Sequence, residues 1–401
     1  MKLSHRAQAA EPFYAMAFGD QAATLEAAGH HAVRLNLGEP DFGALPAVRD
    51  AMREVMDGRP LPYTSAFGLP ELRAAIAGFY RTRHGVEIDP ARVIVTSGAS
   101  AALLLVLAAT TDPGDEVILA DPSYPANRQL IEAFGARIAT VPTTPETRYQ
   151  LDAKSVGHAW SDRTAAVMVA SPSNPTGTSI PFAELTDLCQ QARDRDGWRI
   201  VDEIYLNLAD PAPDGTPPRT ILSADPDAIV INSFSKYFGM TGWRLGWCVL
   251  PQALVPAVEK LAMSYYICAS TPAQYAALSC FTPESLAIAE ERRAELLARR
   301  AIVLDGLKRI GLPVPVPPDG AFYVYFDVSG TGLTSWDFCQ RVLDQAHVAL
   351  TPGRDFGAGT ADTHVRLSYA ASREDLREGL DRIGAFVRAS VRASAGRGAG
   401  A

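Results

Sequence analysis

The stretch 228-AIVINSFSKYFGMTGWRLGW-247 determines how the rest of the sequence is interpreted. It begins with a short apolar run at residues 228–231, which is typical of a buried β-strand. The polar residues that follow are Ser233, Ser235, Lys236 and Arg244. Hydroxyl groups and a guanidinium suit a phosphate, and a lysine in a partly dry pocket suits a Schiff base with a carbonyl compound. Because most lysines are solvated surface residues, this interpretation requires matching groups elsewhere in the chain.

Length and composition indicate a globular protein with more than one domain. The chain has 401 residues, which is too long for one simple core, and its hydrophobic content of 47% is ordinary. The formal net charge of −8 argues against nucleic acid or an anionic membrane surface as the main partner. The first 19 residues lack the apolar core of a secretory signal. No stretch approaches the ~18 apolar residues of a membrane span.

The cysteines and histidines do not indicate a metal site. The five cysteines are widely spaced in apolar surroundings, and they are Cys189, Cys248, Cys268, Cys280 and Cys339. Buried thiols in a reducing cytoplasm account for this pattern better than disulfides do. The seven histidines form no H-x-x-x-H or Cys/His cluster, so we expect no metal. Because the cysteines suit a reducing compartment, we expect a cytoplasmic location.

Seven short apolar runs predict a mainly parallel α/β sheet. They occupy residues 92–98, 116–123, 136–142, 164–173, 198–205, 228–233 and 244–251. Several are apolar at consecutive positions, which indicates strands covered on both faces, and helical stretches separate them. In such sheets ligands bind beyond the carboxyl ends of the strands.

The remaining segments predict a second, smaller α+β unit. A long amphipathic helix is expected from Thr282 to about Ile310, and its length suits a connection between domains. Short apolar segments and two further helices follow it, and the N-terminal residues belong to the same unit. The predicted division is a large domain at 44–282, a small domain made of 12–43 and 283–388, and a disordered tail at 389–401.

Two of the other strand ends carry groups that suit an anion or a flat ligand. The backbone amides of Ala99 and Ser100 stand where a strand gives way to a helix, and such amides point towards an anion. Tyr124 lies just past another strand, where its ring would stack on a flat ligand. An ordinary turn and simple packing are the respective alternatives.

Two further strand ends carry an amide and a carboxylate. Asn174 lies between two prolines, where its amide would donate to a ligand or merely form a turn. Asp202 ends an apolar strand, so its carboxylate needs a cationic partner, either in a salt bridge or on a ligand. Tyr205 lies on the same side of that turn. Together with Lys236 these groups match the needs of a pyridine aldehyde phosphate.

Eight motifs in order resemble the class I/II aminotransferases, pyridoxal-phosphate enzymes with the aspartate aminotransferase fold. The motifs are LNLGEPDF, YTSAFGLPELR, TSGASAAL, SPSNPTGT, VDEIY, SFSKYFGMTGWRLGW, GAFY and HVRLSYA. The resemblance covers residues 12–388. It implies a seven-stranded, mainly parallel sheet in a large cofactor-binding domain, a smaller α+β domain and a cytoplasmic enzyme of amino-acid metabolism. It also implies a homodimer with shared active sites.

The resemblance assigns a role to each candidate residue. Lys236 resembles the lysine that bonds to the cofactor and moves the proton, and Asp202 resembles the acid that pairs with the ring nitrogen. The other expected cofactor contacts are Tyr205 and Asn174 at the phenolic oxygen, Tyr124 on the ring, and Ala99, Ser100, Ser233, Ser235 and Arg244 around the phosphate. Tyr63 resembles a residue that reaches the phosphate of the neighbouring subunit. Arg366 and Gly38 resemble the residues that bind the substrate carboxylate.

The expected reaction moves the amino group of an L-amino acid to a 2-oxo acid, either 2-oxoglutarate or pyruvate, with ping-pong kinetics. Ser100 replaces a lysine that commonly helps bind a distal carboxylate in the aspartate/prephenate branch, which argues against aspartate as the preferred donor. Phe18, Tyr63, Tyr124 and Phe322 are predicted to form an apolar side of the pocket. A pyridoxal-phosphate C–S β-lyase is the main alternative.

Two other functions are less favoured. A non-catalytic pyridoxal-phosphate-binding regulator is disfavoured by the acidic charge and by the lack of a helix-turn-helix pattern before residue 12. A nicotinamide dehydrogenase is disfavoured because no G-x-G-x-x-G follows the first strand of the sheet.

Overall fold

The computed structural model describes residues 1–212 and 214–398. The helices in this part of the chain are α1 (His5–Ala9), α2 (Tyr14–Ala27), α3 (Pro46–Val55), α4 (Pro70–His84), α5 (Ala99–Thr110), α6 (Pro125–Ala133), α7 (Ala153–Ala159), α8 (Phe182–Arg193), α9 (Val255–Tyr265), α10 (Thr271–Ala277), α11 (Pro283–Ile310), α12 (Ser335–Ala346) and α13 (Arg373–Gly398). The strands are β1 (Val33–Arg34), β2 (Val93–Thr96), β3 (Glu116–Asp121), β4 (Arg137–Pro142), β5 (Thr164–Ala170), β6 (Trp198–Asp202), β7 (Ile229–Ser233), β8 (Gly246–Val249), β9 (Tyr323–Asp327), β10 (Val348–Ala349), β11 (Thr351–Pro352) and β12 (His364–Ser368).

Strands β2 to β8 form one seven-stranded sheet in the order β2-β8-β7-β6-β5-β3-β4. Strand β8 is antiparallel to both of its neighbours, and the other four pairs are parallel. Each of the seven predicted runs contains one of these strands. The prediction of a mainly parallel seven-stranded sheet is therefore confirmed.

The central strands are buried on both faces, which explains their consecutive apolar residues. In β7, Ile229 and Ile231 pack in the same cluster as the apolar residues of α5 and α9. Val230, between them, packs in the other cluster, with apolar residues of α4 and α8. Helices cover both faces of the sheet, so a ligand can approach it at the carboxyl ends of the parallel strands.

A second group of elements stands beside the seven-stranded sheet. Strands β11, β12 and β9 form an antiparallel sheet, and β1 pairs in parallel with β10. The predicted long helix is α11, in which the Thr282 side chain accepts a hydrogen bond from Ser285 N and Gly311 ends the helix in a left-handed conformation. We propose a domain boundary near residues 43 and 282, because β1 and the strands after α11 belong to these smaller sheets.

The C-terminal tail overlaps the last helix. Helix α13 extends to Gly398, and residues 399–401 lie outside the described part. The segment is rich in alanine, which has the highest intrinsic helix propensity, and disorder of residues 389–401 stays a prediction.

The described part of the chain also bears on the membrane and disulfide predictions. None of its helices combines the length and the apolar character that crossing a bilayer requires. All five cysteines are unpaired, and four of them are buried.

Candidate active site

A cavity of about 380 Å³ lies at the carboxyl ends of the parallel strands. The final residues of β5, β6 and β7 line it, and they are Ala170, Asp202 and Ser233. The predicted site residues found in its wall are Gly38, Ala99, Ser100, Tyr124, Asn174, Asp202, Tyr205, Ser233, Ser235, Lys236, Arg244 and Arg366. Residues separated by more than 300 positions therefore meet at one edge of the sheet.

Lys236 follows β7 and stands in the centre of this wall. Its Nζ donates a hydrogen bond of 2.7 Å to the carbonyl oxygen of Gly38. Burial lowers the pKa of the Lys236 amine to about 8. Two carboxylates raise that pKa and two guanidinium groups lower it, and in order of effect these neighbours are Glu39, Arg366, Arg244 and Asp202. A substantial fraction of the amine is therefore unprotonated near neutral pH, which suits a nucleophile or a base.

Asp202 ends β6 and directs a buried carboxylate to the cavity. Its Oδ1 accepts a hydrogen bond of 3.0 Å from the backbone N–H of Ile204. Burial raises the pKa of Asp202 to about 7, and the charge of Lys236 opposes this shift. A cationic group brought into the cavity beside Asp202 would stabilise the ionised carboxylate.

Arg366 is a buried cation in the middle of β12. Its Nη1 donates to Asn174 Oδ1 at 2.8 Å. Its Nη2 donates to the Asn36 carbonyl oxygen at 2.7 Å and to Thr351 Oγ1 at 3.2 Å. The Nε atom is buried without a protein partner. Because Arg366 lines the cavity, its guanidinium is suited to a carboxylate ligand there.

Two tyrosines close the cavity beside Arg366. The hydroxyl groups of Tyr205 and Tyr323 are 2.8 Å apart and share a hydrogen bond. The Tyr323 ring lies 4.5 Å from the guanidinium carbon of Arg366, a distance that allows a cation–π contact. This network fixes the Tyr205 hydroxyl at the cavity wall.

The start of α5 and Arg244 form an anion cradle in the cavity wall. Helix α5 begins at Ala99, and its N-cap, Gly98, supplies no side-chain hydrogen bond to the first turn. Gly98 has a φ of +86°, and a Cβ there would lie 2.6 Å from Arg244 Nη2. Glycine thus allows the guanidinium to approach the helix N-terminus, where backbone amides and the helix dipole favour an anion. Ser233 and Ser235 border the same space.

Three residues predicted for this site lie elsewhere. Tyr63 is outside the cavity wall, and its side chain is 77% exposed. Phe18 and Phe322 are fully buried in the hydrophobic core and are not among the residues that line the cavity, although the Phe322 ring lies 5.8 Å from Lys236 Nζ. Phe18 packs edge-on against Trp336 with ring centroids 5.4 Å apart, because α2 turns this residue towards the small antiparallel sheet and its helices.

The residues that supply the apolar side of the cavity were not predicted from the sequence. They are Phe13, Met16, Leu37 and Leu103. Tyr323 and Glu39 were also missed, although both lie within quoted motifs. Asn36 holds Arg366 through its backbone oxygen, which any residue type would provide, so the sequence carries no signal for that contact.

The sequence matches a known family over most of its length. Residues 30–383 fit the family model described as Aminotransferase class I and II. A valine–pyruvate aminotransferase from Mycobacterium tuberculosis is 40% identical over 377 residues, which are 94% of this chain and 96% of that protein. An aspartate/prephenate aminotransferase from Thermus thermophilus is 36% identical over 383 residues, which are 95% of this chain and 97% of that protein.

Solved structures show the same fold. An aminotransferase from Mycobacterium tuberculosis superimposes with a TM-score of 0.92 at 38% identity, covering 97% of this chain and 100% of that one. Aspartate aminotransferase from Thermus thermophilus with maleate gives a TM-score of 0.90 at 35% identity, covering 96% and 99%. At these identities both the fold and the family are shared.

Proposed function

Because the chain belongs to the class I and II aminotransferase family, it is an enzyme that transfers amino groups, and we propose that the cavity around Lys236 is its active site. Enzymes of this family depend on pyridoxal phosphate, and we propose the same cofactor here. When bound, this cofactor supplies an electron sink that weakens the Cα–H bond of the substrate. The observation that carries the proposal is the meeting of Lys236, Asp202, Arg366 and an anion cradle in one cavity.

The donor set fits this cofactor group by group. The cradle formed by the start of α5, Ser233, Ser235 and Arg244 would hold the phosphate. The buried carboxylate of Asp202 would pair with the protonated ring nitrogen, which provides the cation that this carboxylate needs. The hydroxyl of Tyr205 and the amide of Asn174 would donate to the phenolic oxygen, and Tyr124 would cover the ring.

Lys236 would move the proton of the reaction. Its amine would take the proton from the substrate α-carbon and later return it, so one group would act as base and then as acid. The pKa of about 8 matches this use, because the unprotonated form is available near neutral pH without a large loss of basicity. The same amine would hold the cofactor covalently between turnovers.

Arg366 would bind the α-carboxylate of the substrate. The carboxylate would bind the guanidinium where Arg366 lines the cavity, and the hydrogen bond to Asn174 would keep the guanidinium plane fixed. Fixing the carboxylate orients the Cα–H bond towards Lys236, and orientation of this kind supplies a large share of catalysis.

We propose that the donor amino acid has a neutral, largely apolar side chain. Among the described residues that line the cavity, the cations are Lys236, Arg244 and Arg366, and each already has a proposed role. Ser100 adds no charge, while Phe13 and Met16 add apolar surface. A second carboxylate on the donor would therefore lack a cationic partner among the described residues that line this cavity. The relative named a valine–pyruvate aminotransferase is consistent with such a donor and with pyruvate as acceptor.

A donor panel tests this function. Valine, alanine, phenylalanine and aspartate would be assayed with pyruvate and with 2-oxoglutarate, and we expect the neutral donors to give the higher kcat/KM. A strong preference for aspartate would refute the proposed donor class. Release of pyruvate and ammonia from a cysteine conjugate without any acceptor, at a rate above transamination, would instead identify a C–S β-lyase.

Attachment of the cofactor to Lys236 should depend on pH. After pyridoxal phosphate is mixed with the cofactor-free protein, the visible absorbance should grow faster as the pH rises through about 8, because only the unprotonated amine is nucleophilic. Glu39 is the charged neighbour that most raises this pKa, so Glu39→Gln should move the midpoint to lower pH. The exposed Glu87→Gln is the matched control and should leave it unchanged. A midpoint near the ordinary lysine pKa of about 10.4 would contradict the expected burial effect.

We further propose a cytoplasmic homodimer in which Tyr63 serves the site of the partner subunit. Tyr63 is highly exposed, and Thr271 Oγ1 donates to the adjacent Pro62 carbonyl oxygen at 2.9 Å, which places this loop beside α10. Exposed apolar residues at the end of α9, after it and within α10 are Met263, Tyr265, Ile267 and Tyr275. Such a surface is typical of an interface. Light scattering should give twice the chain mass of 42.9 kDa.

A further inference from the structure

Asp121 makes an unusual pair of contacts at the end of β3. Its Oδ2 accepts hydrogen bonds from the backbone N–H groups of Ala358 at 2.9 Å and Gly359 at 3.2 Å. The side chain is buried, and its Oδ1 has no partner. The carboxylate therefore joins the large sheet to a distant loop, residues 353–361, through charge-assisted hydrogen bonds.

The loop fits against Asp121 without spare room. Gly357 has a φ of +149°, and a Cβ at this residue would lie 1.9 Å from Asp121 Oδ1. A second link is the hydrogen bond of 2.8 Å from Ser123 N to the Phe356 carbonyl oxygen. These contacts fix the loop backbone to the segment between β3 and Tyr124. The contact with Asp121 requires both the carboxylate and the glycine.

The same loop supports Arg366 from two directions. It connects β11, which contains Thr351, to β12, which contains Arg366, and Thr351 Oγ1 accepts a hydrogen bond from the guanidinium. Within the loop, the Phe356 ring lies 5.0 Å from the guanidinium carbon. A displacement of this loop would therefore tilt or release the Arg366 side chain.

We infer that Asp121 is a positioning residue for the substrate carboxylate, acting through loop 353–361 on Arg366. This inference rests on the proposed role of Arg366. Without the Asp121 carboxylate, the amides of Ala358 and Gly359 lose their acceptor on β3, and the loop is released from the large sheet on this side. Because catalysis is sensitive to displacements of about 1 Å, release of the loop weakens binding of the carboxylate at Arg366.

The test measures carboxylate binding separately from turnover. Propionate, which has a carboxylate but no amino group, is titrated into the holoenzyme by calorimetry, and KM and kcat are measured with the best donor. Asp121→Ala should raise the Kd of propionate and the KM each about tenfold, with kcat and cofactor retention within about twofold of wild type. Asp121→Asn keeps an acceptor oxygen and should show a smaller effect in the same direction. Asp115→Asn, at the start of the same strand and also bonded to a backbone N–H, is the matched control.

A change on the other side of the contact gives an independent arm. Gly357→Ala pushes a methyl group against Asp121 and should also raise KM and the Kd of propionate. In an Asp121→Ala background, Gly357→Ala should raise KM and the Kd of propionate by a smaller factor than it does in wild type. The reason is that the two substitutions disrupt one contact. Unchanged propionate affinity in both variants, with Arg366→Lys weakening it, would overturn the inference and leave the proposed function intact. If Arg366→Lys also leaves propionate binding unchanged, the proposed role of Arg366 is wrong.

Discussion

Lys236→Ala is expected to lower kcat/KM for amino-group transfer by about 10⁴-fold or more. Lys236 carries the only amine among the described residues that line the cavity, so no neighbouring group can replace it as base or as the covalent attachment point. The variant should lose the visible absorbance of the attached cofactor while the cradle around Arg244 still holds the phosphate. Steady-state assays and absorbance spectra of the purified protein measure both effects.

The matched control for this change is Lys308→Ala. Lys308 is exposed in the last turn of α11, so removal of its amine should leave both rate and spectrum at the wild-type level. A Lys236→Ala variant that keeps more than about a hundredth of the activity would contradict the role assigned to the amine, because general acid–base catalysis alone is worth at least about 10²-fold.

Arg366→Lys is expected to reduce kcat/KM by about 10²- to 10³-fold, mainly through KM. The guanidinium donates to Asn174, Asn36 and Thr351, which uses three of its five N–H groups. An ammonium has only three donors and a different shape, so it cannot keep these contacts and also bind the carboxylate in two-point fashion. Steady-state kinetics with the best donor measure the loss.

Two comparisons distinguish this effect from general damage. Arg309→Lys, in an exposed ion pair with Asp305 on α11, should be neutral. A primary amine with the donor's side chain but no carboxylate should react equally slowly with wild type and Arg366→Lys. An equal loss for the amine and the amino acid would mean that Arg366 acts on folding rather than on the substrate.

The sheet and most of the cavity wall could be predicted from the sequence because one rule connects them. Consecutive apolar residues marked the seven strands, and a parallel sheet brings its carboxyl ends together, so Asp202, Ser233 and Tyr124 had to approach one another. The position of Arg366 came from a different source, the resemblance of its motif, since β12 belongs to a separate antiparallel sheet and no strand-end rule applies to it.

Prediction from the sequence was limited where packing, not pattern, decides which way a side chain points. Helix α2 carries apolar residues on several sides, so its sequence could not show that Phe18 faces the core while Met16 faces the cavity. Contacts made by backbone atoms, such as the Asn36 carbonyl at Arg366, cannot be predicted from residue identity, because every residue type has the same carbonyl group. The support of loop 353–361 by Asp121 depends on two segments more than 230 positions apart, and only the folded chain brings them together.

The hydrogen bond between Asn174 and Arg366 has a thermodynamic consequence. Asn174 faces the proposed cofactor position and Arg366 the proposed substrate position, so each ligand restricts one partner of the same 2.8 Å bond. Two ligands that order the same pair of groups each raise the affinity of the enzyme for the other. By thermodynamic linkage this increase in affinity is reciprocal. The factor by which bound cofactor raises the affinity for a carboxylate must equal the factor by which bound carboxylate raises the affinity for the cofactor. Substrate abundance would then determine how much of the enzyme remains loaded.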